Sequence, residues 1–175
     1  MRTILLFLFI CIVAAGGGFF AYRHFAHAGN VVGKPLPAGI QMNDLDGKPH
    51  ALEEYRGKLL LLNFWATWCG PCLHEIPELV KLQTEFGPRG LQIVGPAVDD
   101  PDAVRGMLGT LGINYPVLIT AEPETMIKTM EQLDNPVGGL PFSLLVGADG
   151  IIIRRQIGEF SAGELREMIS SHLPT

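Results

Sequence analysis

Residues 58–72 read KLLLLNFWATWCGPC and join two different patterns of hydrophobicity. Residues 58–66 form a nearly continuous apolar run, which is typical of a strand buried on both faces of a sheet. From residue 72 to residue 86 the apolar side chains instead recur at helical spacing. The sequence therefore predicts a buried strand that leads into an amphipathic helix, with Cys69 and Cys72 at the junction.

The flanking sequence predicts one α/β domain over residues 38–175, built on a central mixed sheet. Asp46-Gly47 is a hairpin-turn signal between two short apolar stretches. Besides residues 58–66, the predicted strands are residues 40–45, 49–52, 91–98, 117–120, 142–146 and 151–157. Besides the helix after Cys72, the predicted helices are residues 101–111, 123–133 and 161–172. Ser161 and Glu164 have the spacing of a capping box at the start of the last helix.

The position of the two cysteines predicts redox chemistry. Unpaired N–H groups at a helix N-terminus stabilise an anion, so the pKa of a thiol at Cys69 is expected to be lowered. Cys72 follows one helical turn later and can close a small disulfide ring. Gly70 and Pro71 suit the tight start of the helix. We expect Cys69 to be exposed and to attack a disulfide as thiolate, and the more buried Cys72 to resolve the mixed disulfide.

Metal binding is the main alternative for this cysteine pair. A zinc site needs four ligands, and His74 is the one further candidate nearby. A copper(I) ion held between Cys69 and Cys72, with a Met or His, stays open as a second hypothesis. The third cysteine, Cys11, lies in an apolar run, so the chain has no disulfide framework.

The N-terminal segment predicts a membrane anchor. Residues 4–22 carry no charged side chain and approach the roughly 20 residues that span a bilayer. We expect residues 1–25 to form an uncleaved signal-anchor helix and residues 26–37 to be a tether. Two alternatives stay open: a signal peptide cleaved after Ala28, and a lipid anchor on Cys11.

The charge of the chain argues against a nucleic-acid partner. Residues 29–175 hold all 18 acidic and 11 of the 13 basic side chains, which gives a formal charge of −7. Such a domain lacks the basic stripe that binds phosphates. With 47% hydrophobic residues the chain can bury a core, which excludes a disordered chain.

Residues 63–72 (NFWATWCGPC), followed by Glu75 and Pro77, resemble the membrane-anchored, thioredoxin-like proteins of the TlpA/ResA family, whose relatives include cytochrome c maturation thioredoxins. The resemblance runs from about residue 32 to residue 173. It implies a thioredoxin fold with an N-terminal β-hairpin extension around residues 44–48 and an inserted helix at residues 123–133.

The resemblance also implies roles for single residues. Pro141 matches the cis-proline that faces the two cysteines, and Leu140 would offer its backbone to a client peptide. Trp68, Gly70 and Pro71 would contact the client as well.

Glu75 matches the acid that the family carries three residues after its second cysteine; an ordinary solvated acid on the helix is the alternative. Asn63 departs from ordinary thioredoxins in the way that TlpA-like proteins do. Asn63 stands where ordinary thioredoxins carry a buried Asp. The resemblance therefore implies that Glu75 takes over the proton transfer to and from the thiol of Cys72.

A function follows from this resemblance. The chain is expected to be an enzyme, a thiol:disulfide oxidoreductase tethered to the bacterial inner membrane with its catalytic domain in the periplasm, or soluble there after cleavage near Ala28. It would reduce disulfides of client proteins such as apocytochrome c or oxidase copper-site proteins, without cofactor or metal. Its electrons would come from a membrane donor of the DsbD/CcdA type. A disulfide oxidase or isomerase of the same fold is the alternative that differs only in potential.

Overall fold

The computed structural model describes residues 31–120 and 122–173. In this part of the chain seven strands and four α-helices follow one another. The strands are β1 Gln41–Asp44, β2 Pro49–Ala51, β3 Leu59–Phe64, β4 Leu91–Pro96, β5 Val117–Ile119, β6 Phe142–Val146 and β7 Ile152–Ile157. The helices are α1 Gly70–Phe86, α2 Pro101–Leu111, α3 Pro123–Gln132 and α4 Ala162–His172. Short 3-10 helices cover Leu52–Tyr55 and Gly87–Arg89.

The strands form one mixed sheet in the order β2-β1-β5-β4-β3-β6-β7. β3, β4 and β5 run parallel, whereas β6 is antiparallel to β3 and β7 is antiparallel to β6. The hairpin β1–β2 extends the sheet by antiparallel pairing of β1 with β5. Together with α3, inserted between β5 and β6, this arrangement confirms the predicted thioredoxin fold and its two additions.

Strand β3 is buried along its whole length because helices or loops cover both faces of the sheet. Leu60, Leu62 and Phe64 point into a cluster with side chains of α3 and of the β1–β2 hairpin. Leu59 and Leu61 point the other way, into a cluster with α1 and α4. The alternation follows the two-residue period of a strand, which confirms the prediction from the continuous apolar run.

Helix α1 begins at the turn that carries the cysteines, in agreement with the predicted position of Cys69 at the helix N-terminus. Its first residue is Gly70, and Cys69 is the N-cap. The last helix starts as predicted, because Ser161 Oγ accepts a hydrogen bond from the N–H of Glu164 at 3.3 Å.

The N-terminal boundary of the domain differs from the prediction. The N–H of Gly33 donates to the carbonyl of Ile152 at 2.8 Å, and Leu36 packs against the core, so residues 31–37 belong to the domain rather than to a free tether. The predicted anchor at residues 1–25, the tether residues 26–30, Cys11 and the cleavage position at Ala28 lie outside the described residues. Among residues 31–120 and 122–173, no helix combines the length and the hydropathy that crossing a membrane requires.

Candidate active site

The turn that carries the two cysteines and the segment before β6 lie at the same end of the sheet. β3 and β6 are antiparallel, with Phe64 opposite Phe142, so the residues that follow β3 and those that precede β6 are neighbours. The peptide bond between Leu140 and Pro141 is cis, as the resemblance implies. Leu140 packs against the hydrophobic cluster that includes both cysteines. The sheet therefore brings Pro141 to the predicted redox centre.

Cys69 and Cys72 form a disulfide bond at the N-terminus of α1, with their Cα atoms 5.3 Å apart. The Sγ atom of Cys69 accepts a hydrogen bond from the backbone N–H of Cys72 at 3.3 Å. Pro71 lies in the first turn, where its missing N–H leaves no helical hydrogen bond unmade. Since free N–H groups and the helix dipole favour negative charge here, this end of α1 can stabilise a thiolate at Cys69 once the bond is reduced.

The exposure of Cys69 differs from the prediction. Cys69 is 5% exposed and Cys72 is 0% exposed, so Cys69 is the more accessible of the two but is itself buried. It is covered because it packs into the hydrophobic cluster that Leu140 also contacts. The surface beside it is formed by Trp68, which is 68% exposed, and by the exposed Gly70 and Pro71.

Glu75 faces the interior of the domain, one helical turn after Cys72. Its residue is 6% exposed, and its Oε1 accepts a hydrogen bond from Asn63 Nδ2 at 2.6 Å. Asn63 Nδ2 also lies 3.0 Å from Ser143 Oγ, to which it donates. The register of β3 and β6 sets Asn63 opposite Ser143. Glu75 is therefore a buried carboxyl that is hydrogen-bonded to Asn63 of β3, not a solvated helix acid. No local pattern predicted the contact of Ser143 with Asn63, because it depends on the register of β3 and β6.

Burial raises the pKa of Glu75 from an ordinary 4.5 to about 7. Hydrogen bonds from Asn63 and from the backbone of Phe160 act against this shift, the negative charge of Glu159 adds to it, and His74 lowers the pKa. An acid with a pKa near neutrality can both accept and release a proton at pH 7. The carboxyl is thus suited to proton transfer with a thiol one turn away.

Asp99 supports the turn before the cysteines, a role that the sequence did not reveal. Its Oδ2 accepts hydrogen bonds from the N–H of Thr67, at 2.9 Å, and from the Thr67 hydroxyl. Burial raises the pKa of Asp99, but the bonds from Thr67 and from the N–H of Asp100 outweigh it, and the net pKa is lowered. The acids at residues 99 and 100 indicated only a helix start, which Asp100 provides as the N-cap of α2.

The segment before Pro141 is anchored by a second polar residue that the sequence analysis did not identify. Asn135 is fully buried, and its side chain donates to the carbonyl of Gly139 at 2.9 Å and accepts from the Gly139 N–H at 3.1 Å. Arg155 on β7 donates to the carbonyl of Asp134. These bonds fix the backbone that leads into Leu140 and Pro141.

Comparison with known proteins places this site in a family. The profile of the Redoxin family matches residues 31–169. The chain is 31% identical to the thiol-disulfide oxidoreductase ResA of Bacillus thuringiensis (strain Al Hakam) over 176 residues, covering 99% of this chain and 98% of the relative. It is 28% identical to ResA of Geobacillus thermodenitrificans (strain NG80-2) over 177 residues, covering 99% and 95%.

Solved structures agree with the sequence relatives. The chain superimposes on a thiol:disulfide interchange protein of the thioredoxin family from Chlorobium tepidum TLS with a TM-score of 0.68 and 32% identity, covering 79% of this chain and 97% of that one. The thioredoxin domain of a thiol-disulfide oxidoreductase from Bacteroides vulgatus has the same fold, with a TM-score of 0.71, 22% identity and coverage of 82% and 98%. The chain therefore belongs to the Redoxin family and is a thiol-disulfide oxidoreductase of the ResA type, in which Cys69 and Cys72 are joined as a disulfide.

Proposed function

We propose that this oxidoreductase reduces disulfides of client proteins on the outer side of the bacterial inner membrane, in the periplasm. The observation that carries dithiol exchange is the helix cap at Cys69, whose sulfur accepts the N–H of Cys72. The same donor stabilises the Cys69 thiolate, and a stabilised thiolate is the form that attacks a disulfide. The Gly70-Pro71 dipeptide between the cysteines is the one found in reducing thioredoxins, which favours the reductive direction.

The reaction starts from the reduced enzyme. The Cys69 thiolate attacks one sulfur of the client disulfide, forms a mixed disulfide, and releases the other client sulfur as a thiolate. Glu75 then accepts the proton of the Cys72 thiol. The Cys72 thiolate attacks Cys69 Sγ, the Cys69–Cys72 bond forms, and the bond to the client breaks. The client has gained two electrons and the enzyme has lost two, so the dithiol carries the whole transfer and needs no cofactor.

The client is bound by the surface around Cys69. Trp68 offers an exposed indole, and Gly70 and Pro71 present backbone next to it. On the other side, Leu140 precedes the cis bond at Pro141 and presents its backbone as an added strand would. A peptide in extended form can lie between these two groups with its sulfur at Cys69.

We further propose that residues 1–25 tether the domain to the membrane. The apolar run at residues 4–22 supports this, as does the alignment with ResA over 99% of the chain. Because the periplasm is kept oxidising, the enzyme must be reduced again after each cycle. A membrane protein of the DsbD/CcdA type is the proposed donor, and apocytochrome c or oxidase copper-site proteins are the proposed clients.

Trapping the mixed disulfide tests this assignment of the two cysteines. The C72S variant cannot resolve the mixed disulfide between Cys69 and the client. It should therefore accumulate covalent adducts with the client, and a reductant should release them. C69S should form none, and C11S should behave as the unsubstituted protein, which makes it the matched control. Adducts on C69S but not on C72S would reverse the roles of the two cysteines.

The reduction potential tests the direction. Equilibration of the full chain against glutathione should give a value below roughly −220 mV, as for thioredoxin-like reductants. A value of roughly −120 to −180 mV would refute the reductase and indicate an oxidase or isomerase. Failure of the two thiols to form a disulfide, together with tight copper(I) binding, would favour the copper hypothesis instead.

A further inference from the structure

A cavity lies beside Glu75, between α1 and the segment that connects β7 to α4. Its volume is about 210 Å³, and it is lined by His74, Glu75, Glu78, Glu159, Phe160, Ser161 and Leu165. Neither cysteine lines it, and Leu140 and Pro141 do not either. Glu75 thus lines a cavity that is not formed by the residues proposed to hold the client disulfide.

Three of the polar side chains that line this cavity form a series from the interior to the solvent. Glu75 is 6% exposed, the side chain of Glu159 is 34% exposed, and that of His74 is 80% exposed. His74 Nδ1 contacts Glu159 Oε1, so a residue of α1 is paired with a residue of the β7–α4 connection. A volume of about 210 Å³ holds several water molecules, and three polar side chains can bind them. Water can therefore connect Glu75 with this pair.

The groups that face Glu75 come from each element packed against it. Asn63 of β3 and Ser143 of β6 are neutral. α1 contributes His74 and Glu78, and Glu78 is paired with Lys81 and with Arg166 of α4. The connection before α4 contributes Glu159, and the segment before β5 contributes Tyr115. Burial raises the pKa of Tyr115, and the negative charge of Glu75 raises it further. Among the polar groups that line the cavity, His74 and Glu159 are the ones that contact each other and reach the solvent.

We propose that the His74–Glu159 pair is the proton relay that connects the buried carboxyl of Glu75 with solvent. This rests on the proposed role of Glu75. After Cys72 has given its proton to the Glu75 carboxylate, the carboxylic acid passes that proton to cavity water. Glu159 and His74 pass it to bulk solvent, where the released client thiolate takes up a proton. When the donor reduces the enzyme, the relay runs in reverse and returns a proton to the Cys72 thiolate.

The chemistry of the pair suits this role. An imidazole has two ring nitrogens, so the second nitrogen of His74 can exchange a proton with solvent while Nδ1 faces the carboxylate of Glu159. The charges of the two side chains also act on Glu75 in opposite directions: Glu159 raises its pKa and His74 lowers it.

Chemical rescue separates a relay from a structural role. Single-turnover disulfide exchange with a disulfide-bonded peptide is measured on the full chain, in dilute buffer, between pH 6 and 8. H74A should slow the resolving step by about tenfold, as a part of the 100- to 10,000-fold that positioned proton transfer contributes. Added imidazole should restore the rate, because a small base in the cavity replaces the missing side chain. E159Q should slow the same step and should lower the pH at which the rate changes, because it removes the charge that raises the pKa of Glu75.

The matched control is E164Q, which removes a carboxylate from an exposed pair with Arg154 at the start of α4; Glu164 itself does not line the cavity. The resolving step of E164Q should be as fast as that of the unsubstituted protein, with or without imidazole. If E75Q is slow but H74A and E159Q exchange normally, the relay is refuted and the role of Glu75 stands. A slow H74A that imidazole does not restore also refutes the relay. A normal rate for E75Q would refute both proposals.

Discussion

The buried carboxyl of Glu75 predicts a specific dependence of stability on pH. Its pKa is raised by burial from 4.5 to about 7 in the folded protein. The folded state therefore keeps a proton that the unfolded state releases between these two pH values. By proton linkage, this group makes the free energy of unfolding fall as pH rises from 4.5 through 7.

The size of the effect follows from the shift. One pKa unit corresponds to ~1.4 kcal/mol, so a shift from 4.5 to about 7 costs about 3 kcal/mol of stability once Glu75 is ionised. E75Q replaces the carboxyl with a neutral side chain of the same shape, which can still accept from Asn63. The variant should match the unsubstituted protein near pH 4 and be more stable than it at pH 8, by up to about 3 kcal/mol.

Urea unfolding of the oxidised full chain in mild detergent, at intervals from pH 4 to pH 8, measures this difference. The control is E85Q, which removes an exposed carboxylate from the same helix and should not reproduce the pH-dependent difference. If the stabilities of E75Q and the unsubstituted protein differ by a constant amount from pH 4 to pH 8, the pKa of Glu75 is not raised. The carboxyl would then be ionised throughout at neutral pH, and the argument for it as a proton acceptor and donor would fail.

Three further variants test the supports of the site and the core. N63A removes the 2.6 Å hydrogen bond that lowers the pKa of Glu75, so the carboxyl stretch in infrared difference spectra should persist to a higher pH than in the unsubstituted protein. D99A leaves the N–H and hydroxyl of Thr67 without their acceptor, and should cost roughly 1.5–3 kcal/mol in urea unfolding at pH 7; a loss equal to that of a surface Asp→Ala change would contradict this. L62A empties a fully buried position of β3 and should cost roughly 2–5 kcal/mol, with an unchanged denaturant slope.

The secondary structure was predictable because local rules determine it. The continuous apolar run at residues 58–66 is typical of a strand covered on both faces, and β3 is so covered. The turn signal at Asp46-Gly47 lies between β1 and β2, and Gly47 has a φ of 84°, a left-handed conformation that favours glycine. The predicted helices lie within a few residues of α1 to α4 for the same reason. The N-terminal boundary was missed because glycines and prolines predict a flexible segment whether or not its backbone pairs with the sheet.

The candidate site was predictable only in part. The positions of Cys69 and Cys72 at the start of a helix follow from the change in periodicity, and the resemblance supplied Glu75 and the cis bond at Pro141. The burial of Cys69 was not foreseen, because it depends on the hydrophobic cluster formed by segments distant in sequence.

The sequence by itself determined the order of strands and helices, the helix-capping position of Cys69 and the spacing that lets Cys72 close a disulfide with it. These depend on residues within one or two turns of each other. Only the tertiary structure decided which polar groups surround Glu75. Asn63 is separated from Ser143 by 80 residues and His74 from Glu159 by 85. Such pairs depend on strand register and on how a loop packs against a helix, and no local pattern specifies either. The raised pKa of Glu75 follows from its burial in the assembled core. The helix pattern therefore determined the position of Glu75, and the core determined its acidity.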